Sequence, residues 1–455
     1  MLANQLAALT EPPGVAEALT VIDGFDDVIV AGLGRVNDAT STGLAGLAAA
    51  VADSPLGGPV RAAVEKVVRG GVDDDQVALL AGARTAVFGA VHDALLTSLD
   101  AALGRTRSEP APAVVQEPGQ DPAVEGARSW LRDVAIAGWR GVDEDLITAA
   151  GQPIESLYPV VARRRLAMVL AGLSEELGAC VPIANLPQLP ARRWTDLWTR
   201  AVLLSRMSTV DASAAPVTNG RLLPLGVDMH EHGTAVQLQL HGVLEDKGQT
   251  RLVRASVSAG KVETIAGPGV WPLLHRHPVL LRALAERRCL HLTDMPLLPE
   301  GDLLWADDRA AAGDPVDEFA TARLALPTTV APAVAPLNRH PATIGEVVLV
   351  EGYRCDGGAL VLGGERLGLA LDRLPAAGPL SPAHVAASSA CLGLLRWNGG
   401  AWRLQPMAVQ TTVKKKNVTV RTADWAMGPT DPKVAKATGD AVSVLSERAG
   451  RLLRR

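Results

Sequence analysis

Near Leu222 the hydrophobic period of this 455-residue chain changes, and no single type of secondary structure can serve both sides of the change. Ahead of it, apolar residues recur at helical spacing. Within 77–103, Leu80, Val87, Val91, Leu95 and Leu99 form one stripe, preceded by the acidic start Asp73-Asp74-Asp75. Beyond it, 236–240 alternates apolar and polar residues as a half-buried strand does, and 252–257 reads as its hairpin partner. The expected class is α+β: helical N-terminal modules, then a β-rich domain of barrel or sandwich type, then a C-terminal helix.

Composition shifts place the boundaries. An acidic helical bundle is expected over 1–104, followed by a linker over 105–123 that carries Pro110, Pro112, Pro118 and Pro122. A second helical module covers 124–210, the β-rich domain with inserted helices 217–430, and a basic helix 431–455. Within the β-rich part, 347–353, 359–362 and 366–371 are separated by Asp356-Gly357-Gly358 and Gly363-Gly364, residues that permit positive φ in tight turns. Asn398-Gly399-Gly400 is the strongest hairpin signal and sets Trp397 and Trp402 across from each other. Helices are expected at 278–288 and 381–394.

The 48% hydrophobic and 20% charged residues suit a soluble globular chain and exclude wholesale disorder or a collagen-like fold. The net charge of −5 hides an asymmetry: residues 1–125 carry 17 acidic against 7 basic side chains, and 405–455 carry 4 against 10. Opposite ends of this kind steer association with a partner or another copy; solvated helix faces explain them equally. The four cysteines, Cys180, Cys289, Cys355 and Cys391, lie far apart with no C-x-x-C pair, which argues against a disulfide framework or zinc ribbon and for a reducing compartment. Without a basic and apolar leader or a run of about 20 apolar residues, the chain reads as cytoplasmic.

Trp194 and Trp198 stand four apart on one helical face, either packing under the next domain or forming a partner-binding groove. His275, His277, Cys289 and His291 make the best metal candidate, because two pairs spaced by two could converge on one zinc, although the spacing matches no zinc-site pattern. His230-Glu231-His232 is a lesser pair, equally read as turn residues. The basic tip Lys414-Lys415-Lys416 could touch a protein partner or phosphate, with no interleaved aromatics to favour nucleic acid. Walker and G-x-S-x-G motifs are absent, the glycines after Asp26-Asp27 lack the third of a dinucleotide fingerprint, and no cofactor is expected.

The stretch from Leu222 to His232, through Pro224, Gly226, Asp228 and His230, resembles uncharacterised actinobacterial proteins, as do 387–397 and 424–436. Those proteins are associated with SWIM zinc-finger proteins, MoxR-type AAA+ ATPases and von Willebrand factor A proteins. The resemblance, confined to the C-terminal half, implies an accessory role in an ATPase-centred assembly and supplies no functional residues. Three functions follow as expectations: a non-enzymatic adaptor or scaffold binding protein partners through Trp194/Trp198 or Lys414–Lys416, a metal-dependent hydrolase using the His/Cys set, or a nucleic-acid-binding accessory protein.

Overall fold

The computed structural model describes residues 1–108, 122–160, 163–207, 215–233, 235–413, 416–438 and 441–452. It is α+β. The N-terminal part contains α1 (Ala3–Ala7), α2 (Val15–Ala31), α3 (Asp38–Ala50), α4 (Gly57–Val68), α5 (Asp74–Leu103), α6 (Pro122–Ala137), α7 (Glu144–Thr148), α8 (Gly151–Leu157), α9 (Arg164–Gly178) and α10 (Ala191–Arg206). The boundaries of α5 follow from its sequence: the Asp73 carboxylate accepts the Asp75 and Gln76 N–H groups, the Gln76 side chain returns to the Asp73 N–H, and Gly104 ends the helix at φ +66°.

The two helical stretches expected as separate modules share one core. Phe25, Leu44, Leu80 and Val87 pack there with Trp130, Trp139, Leu170, Trp194 and Trp198. Gly32 lets the end of α2 approach the end of α6, because a Cβ there would lie 2.7 Å from the Ile136 carbonyl oxygen. Arg84, fully buried, ties three helices by donating to Asp26 Oδ1 at 2.7 Å, Asp26 Oδ2 at 3.1 Å and the Arg192 carbonyl at 3.3 Å.

The first sheet contains β1 (Val217–Glu231), β2 (Ala235–Asp246), β3 (Gln249–Gly260), β4 (Arg288–Pro296), β5 (Asp302–Leu303) and β6 (Ala310–Pro315), ordered β5-β3-β2-β1-β4-β6. Helix α11 (Pro278–Ala285) interrupts it before β4, and α12 (Glu318–Ala325) follows β6 and leads to the second sheet. The second has β7 (Glu346–Glu351), β8 (Arg354–Asp356), β9 (Ala359–Leu362), β10 (Glu365–Leu369), β11 (Ser388–Asn398), β12 (Ala401–Val413) and β13 (Lys416–Arg421), with α13 (Pro382–Ala386) before β11. Its order is β7-β11-β12-β10-β9-β8, and β13 also pairs with β12. The expected β2/β3 and β11/β12 hairpins both form, the latter with Trp397 opposite Trp402 and their rings edge to face at 5.4 Å.

Alternation assigns each strand face to a layer. Leu222, Val227, Leu290 and Leu292 face outward against α11 and the 3₁₀ turn Gly267–Leu274, while Leu223, Val243 and Cys289 face Val347, Leu392, Leu394 and Met407 of the other sheet, with Phe319 of α12. The sheets therefore stack as a sandwich. The far side of the second sheet, including Val348, Val350, Leu395 and Leu404, packs against Val91, Leu95, Leu96 and Leu99 of α5. Thus α5 is buried in the bundle along its first half and against the sheet along its second. By length and composition it is apolar enough to cross a membrane, which the sequence reading did not anticipate; half of that window is buried inside the protein.

Two further expectations change. The helix expected over 381–394 is the short α13 followed by β11, a central strand buried on both faces, and such a strand reads as a continuous apolar run without alternation. The single helix expected over 431–455 is two, α14 (Pro432–Thr438) and α15 (Ala441–Leu452), both resting on the Gly267–Leu274 turn. Pro110, Pro112 and Pro118 of the expected linker lie outside the described residues, whereas Arg105 and Arg107 at its start are anchored. Arg107 lies 3.2 Å from Glu346 on β7 and 2.9 Å from Asp100, and Arg105 lies 3.6 Å from Glu346.

Because α5 contributes to both cores, Leu95→Ala is expected to cost about 2–5 kcal/mol and to leave a single unfolding transition. Denaturant melts followed by far-UV circular dichroism and by tryptophan fluorescence check this, since Trp is distributed through the bundle and the sheets; separated transitions would contradict it.

Candidate functional site

A polar cleft opens where the second sheet forks. Strand β12 pairs with β10 at Arg403 and Leu404 and with β13 from Ala408 onward; Gln405, Pro406 and Met407 between them pair with neither. Pro406 has no N–H to contribute and so suits an interrupted ladder. After Leu369 the chain leaves the sheet through the turn Leu371–Arg373, and the gap is closed above by the end of β1. The resulting cleft, about 260 Å³, is lined by Asp228, His230, Glu231, Asp372, Arg373 and Gln405 among others.

A bulge aims β1 at this fork. The β1/β2 register shifts between Pro224 and Gly226, so that Val227 and Met229 face the outer core while Gly226 and Asp228 face the second sheet. A Cβ on Gly226 would sit 2.8 Å from the Met407 side chain, so glycine here permits the close approach of the two sheets. Asp228, 1% exposed, is held on every side: Arg396 donates to Oδ2 at 2.6 Å, Gln405 to Oδ1 at 2.7 Å and His230 Nε2 to Oδ2 at 2.8 Å. Arg396 also donates to Gln405 Oε1 at 2.6 Å, closing the network. Burial pushes the carboxyl pKa up, but these donors and the Arg396 charge outweigh it and hold Asp228 well below the ordinary carboxylate value. With its oxygens committed, Asp228 is a clamp between the sheets and an orienting acceptor for His230.

The expected metal set is not assembled. Cys289 and His291 lie together beside Gly313, and Cys289 is buried in the core between the sheets, whereas α11, which follows His277, packs on the opposite face of β4. His275 Nδ1 lies 3.0 Å from the Pro272 carbonyl. Among the described residues no group of three or more His, Cys, Asp or Glu could hold a metal ion. The acidic segment 307–318 instead caps helices: Asp307 accepts the Val279 and Leu280 N–H groups of α11, and Asp317 those of Phe319 and Ala320 of α12.

Trp194 and Trp198 do not form a partner groove either, since both are fully buried. Trp194 meets Trp139 edge to face at 5.7 Å, and Trp198 Nε1 donates to the Leu131 carbonyl at 2.9 Å. Lys414 and Lys415 lie outside the described residues; Lys416 opens β13, its backbone paired with Val413. His230, expected in a turn, is in β1 and reaches the cleft. Arg373, Arg396 and Gln405 were not legible as site residues, because only the fork brings them to β1; the D-x-H spacing of Asp228 and His230 in a strand was the available signal.

Exposed apolar side chains gather elsewhere, at the outer end of the bundle. Tyr158, Met168 and Met207 are 41%, 59% and 44% exposed. Tyr158 Oη lies 3.9 Å from Met168 Sδ, Arg164 donates to the Tyr158 carbonyl at 3.2 Å, and Arg163 donates to the Met207 carbonyl at 3.0 Å. Burial together with the charges of Arg206 and Arg163 holds Arg128 below its ordinary pKa, a sign of how closely these cations sit.

The geometry defines an α+β sandwich braced by a helical bundle, with a polar cleft at the sheet fork and an apolar patch beside arginines on the bundle. No protein-family model, curated protein or solved structure matches the chain.

Asp228→Ala, which strands Arg396 in the interior, is expected to destabilise the fold by about 3–5 kcal/mol in equilibrium denaturation. Acid provides a second test. Burial pushes His241, whose Nε2 has no hydrogen-bond partner among the described residues, down to about 3, and His340 down to about 4. The unfolded chain binds these protons below its ordinary value of 6.5 and the folded chain does not, so their contribution is complete above pH 6.5 and lost as pH falls toward 4. Each costs about 2 kcal/mol by pH 5. His241→Leu is expected to flatten the fall in melting temperature over that window; an unchanged slope would exclude His241 as its source.

Proposed function

We propose that this chain is a non-enzymatic adaptor or scaffold subunit that binds an acidic protein surface, working in an assembly with a MoxR-type AAA+ ATPase and a von Willebrand factor A protein. The observation that carries the reading is the patch of Tyr158, Met168 and Met207 beside Arg163 and Arg164, with Arg206, paired to Asp75 at 2.9 Å, at its edge. Aromatic residues, methionine and arginine are the side chains enriched where proteins meet, and an arginine cluster selects an acidic counterpart. Elsewhere in the molecule buried ion pairs cross the layers, at Glu346 between the segment after α5 and β7 and at Asp228 between the sheets. The ATPase-centred setting rests on the resemblance of 222–232, 387–397 and 424–436.

The test is affinity capture of the tagged chain from its own cells with mass spectrometry, comparing the wild type with Tyr158→Ser, Arg164→Glu and Met168→Ser combined. These side chains are exposed, so the variant is expected to melt like the wild type. Stoichiometric recovery of the ATPase or the von Willebrand A protein, reduced about tenfold or more in the variant, supports the reading. Equal recovery would remove the patch from it, and recovery of neither protein would remove the assembly.

A further inference from the structure

The cleft at the sheet fork is separate from the patch and carries charges that the fold leaves unused. Arg373, half-buried, and Asp372, exposed, are adjacent at its mouth and have no ion-pair partner among the described residues. Glu231 Oε2 accepts the Gly267 N–H at 3.3 Å, and among the described residues Oε1 has no hydrogen-bond donor. His230 directs Nε2 at Asp228 Oδ2 at 2.8 Å, so that nitrogen carries a proton and is committed to the carboxylate. The charge of Asp228 is already met by Arg396. The cleft thus offers one strong planar donor, Arg373, and two carboxylate acceptors, Asp372 and Glu231.

We propose that this cleft binds a small zwitterion, a free α-amino acid or a compound of that form, with its carboxylate on Arg373 and its ammonium between Asp372 and Glu231. An arginine fork matches a carboxylate in two parallel hydrogen bonds. A dianion such as phosphate would face Asp372 and Glu231 without a second arginine, and a simple cation would leave Arg373 unanswered. The volume of about 260 Å³ suits a metabolite of this size and falls below the range of about 300–1,000 Å³ usual for drug-sized ligands. Asp228, Arg396 and Gln405 lock the floor of the cleft, so that part of it is formed before the ligand arrives.

The full-length chain is screened by thermal shift against the twenty standard L-amino acids at about 10 mM each, and any that raise the melting temperature are titrated calorimetrically. The expected result is one-to-one binding of at least one amino acid, weakened about tenfold or more by Arg373→Gln and by Asp372→Asn. Its N-acetyl derivative, which lacks the ammonium, and its amide, which lacks the carboxylate, are expected to bind as poorly. No binding across the panel, equal binding of either derivative, or full affinity in the Arg373→Gln protein would each overturn the proposal. Both substituted side chains lie at the cleft mouth, and unchanged melting of the unliganded variants shows that lost binding is not lost folding.

Discussion

A single helix belongs to two hydrophobic cores, and the rest of the molecule is arranged around that fact. At about 1.5 Å per residue, the 30 residues of α5 reach from the centre of the bundle to the outer face of the second sheet. Leu80, Ala83 and Val87 are inside the first core and Val91, Leu95 and Leu99 inside the other. A helix used this way has no wide polar face in its middle, which explains why its composition also satisfies the criteria for a membrane span. It also explains why its end is fastened: Asp100, Arg105, Arg107 and Glu346 form a compact charge cluster where the helix gives way to the sheet.

That cluster is one of several buried ionic networks, each lying at a seam between elements distant in sequence. Arg84 with Asp26 joins α2, α5 and α10; Arg396 and Gln405 with Asp228 join the sheets; Arg421 with Asp424 and Glu318 joins the end of β13 to α12. Buried pairs of this kind add little net stability over well-packed apolar groups, since desolvation cancels most of the attraction. They do penalise any displacement that separates the partners. Glu318 illustrates the balance: burial pushes its pKa up against the opposing charge of Arg421.

The two surfaces proposed to act arise differently. The arginine and methionine patch lies on the bundle, on α8, α9 and the end of α10, where its apolar side chains are exposed. The cleft is a by-product of sheet construction: β12 changes neighbour from β10 to β13, and the three residues between cannot be paired by both. Side chains that arrive there from β1 and from the turn after β10 share no local sequence context. Their polar character is tolerated because the fork leaves them partly wetted, as the half-exposed His230 beside fully buried Asp228 shows.

Local patterns determined much of the architecture. The capping residues of α5, the β2/β3 alternation and the Asn398-Gly399-Gly400 turn each specify their element through interactions within a few residues, and the α+β class follows from them. Burial and convergence were not local. Trp194 and Trp198 looked the same as a core stripe or a docking face until the second helical stretch folded onto the first. The strand 388–398 looked helical because a strand buried on both faces loses its alternation. His275 and His277 were separated from Cys289 and His291 because adjacent residues of β4 face opposite layers, and only the packing of α11 decides which layer each pair sees. In the same way the sequence by itself contained Asp228, His230, Arg373 and Gln405 as unrelated polar residues; the tertiary structure made them one site, because a bulge in β1 and a fork at β12 are consequences of how two sheets fit together.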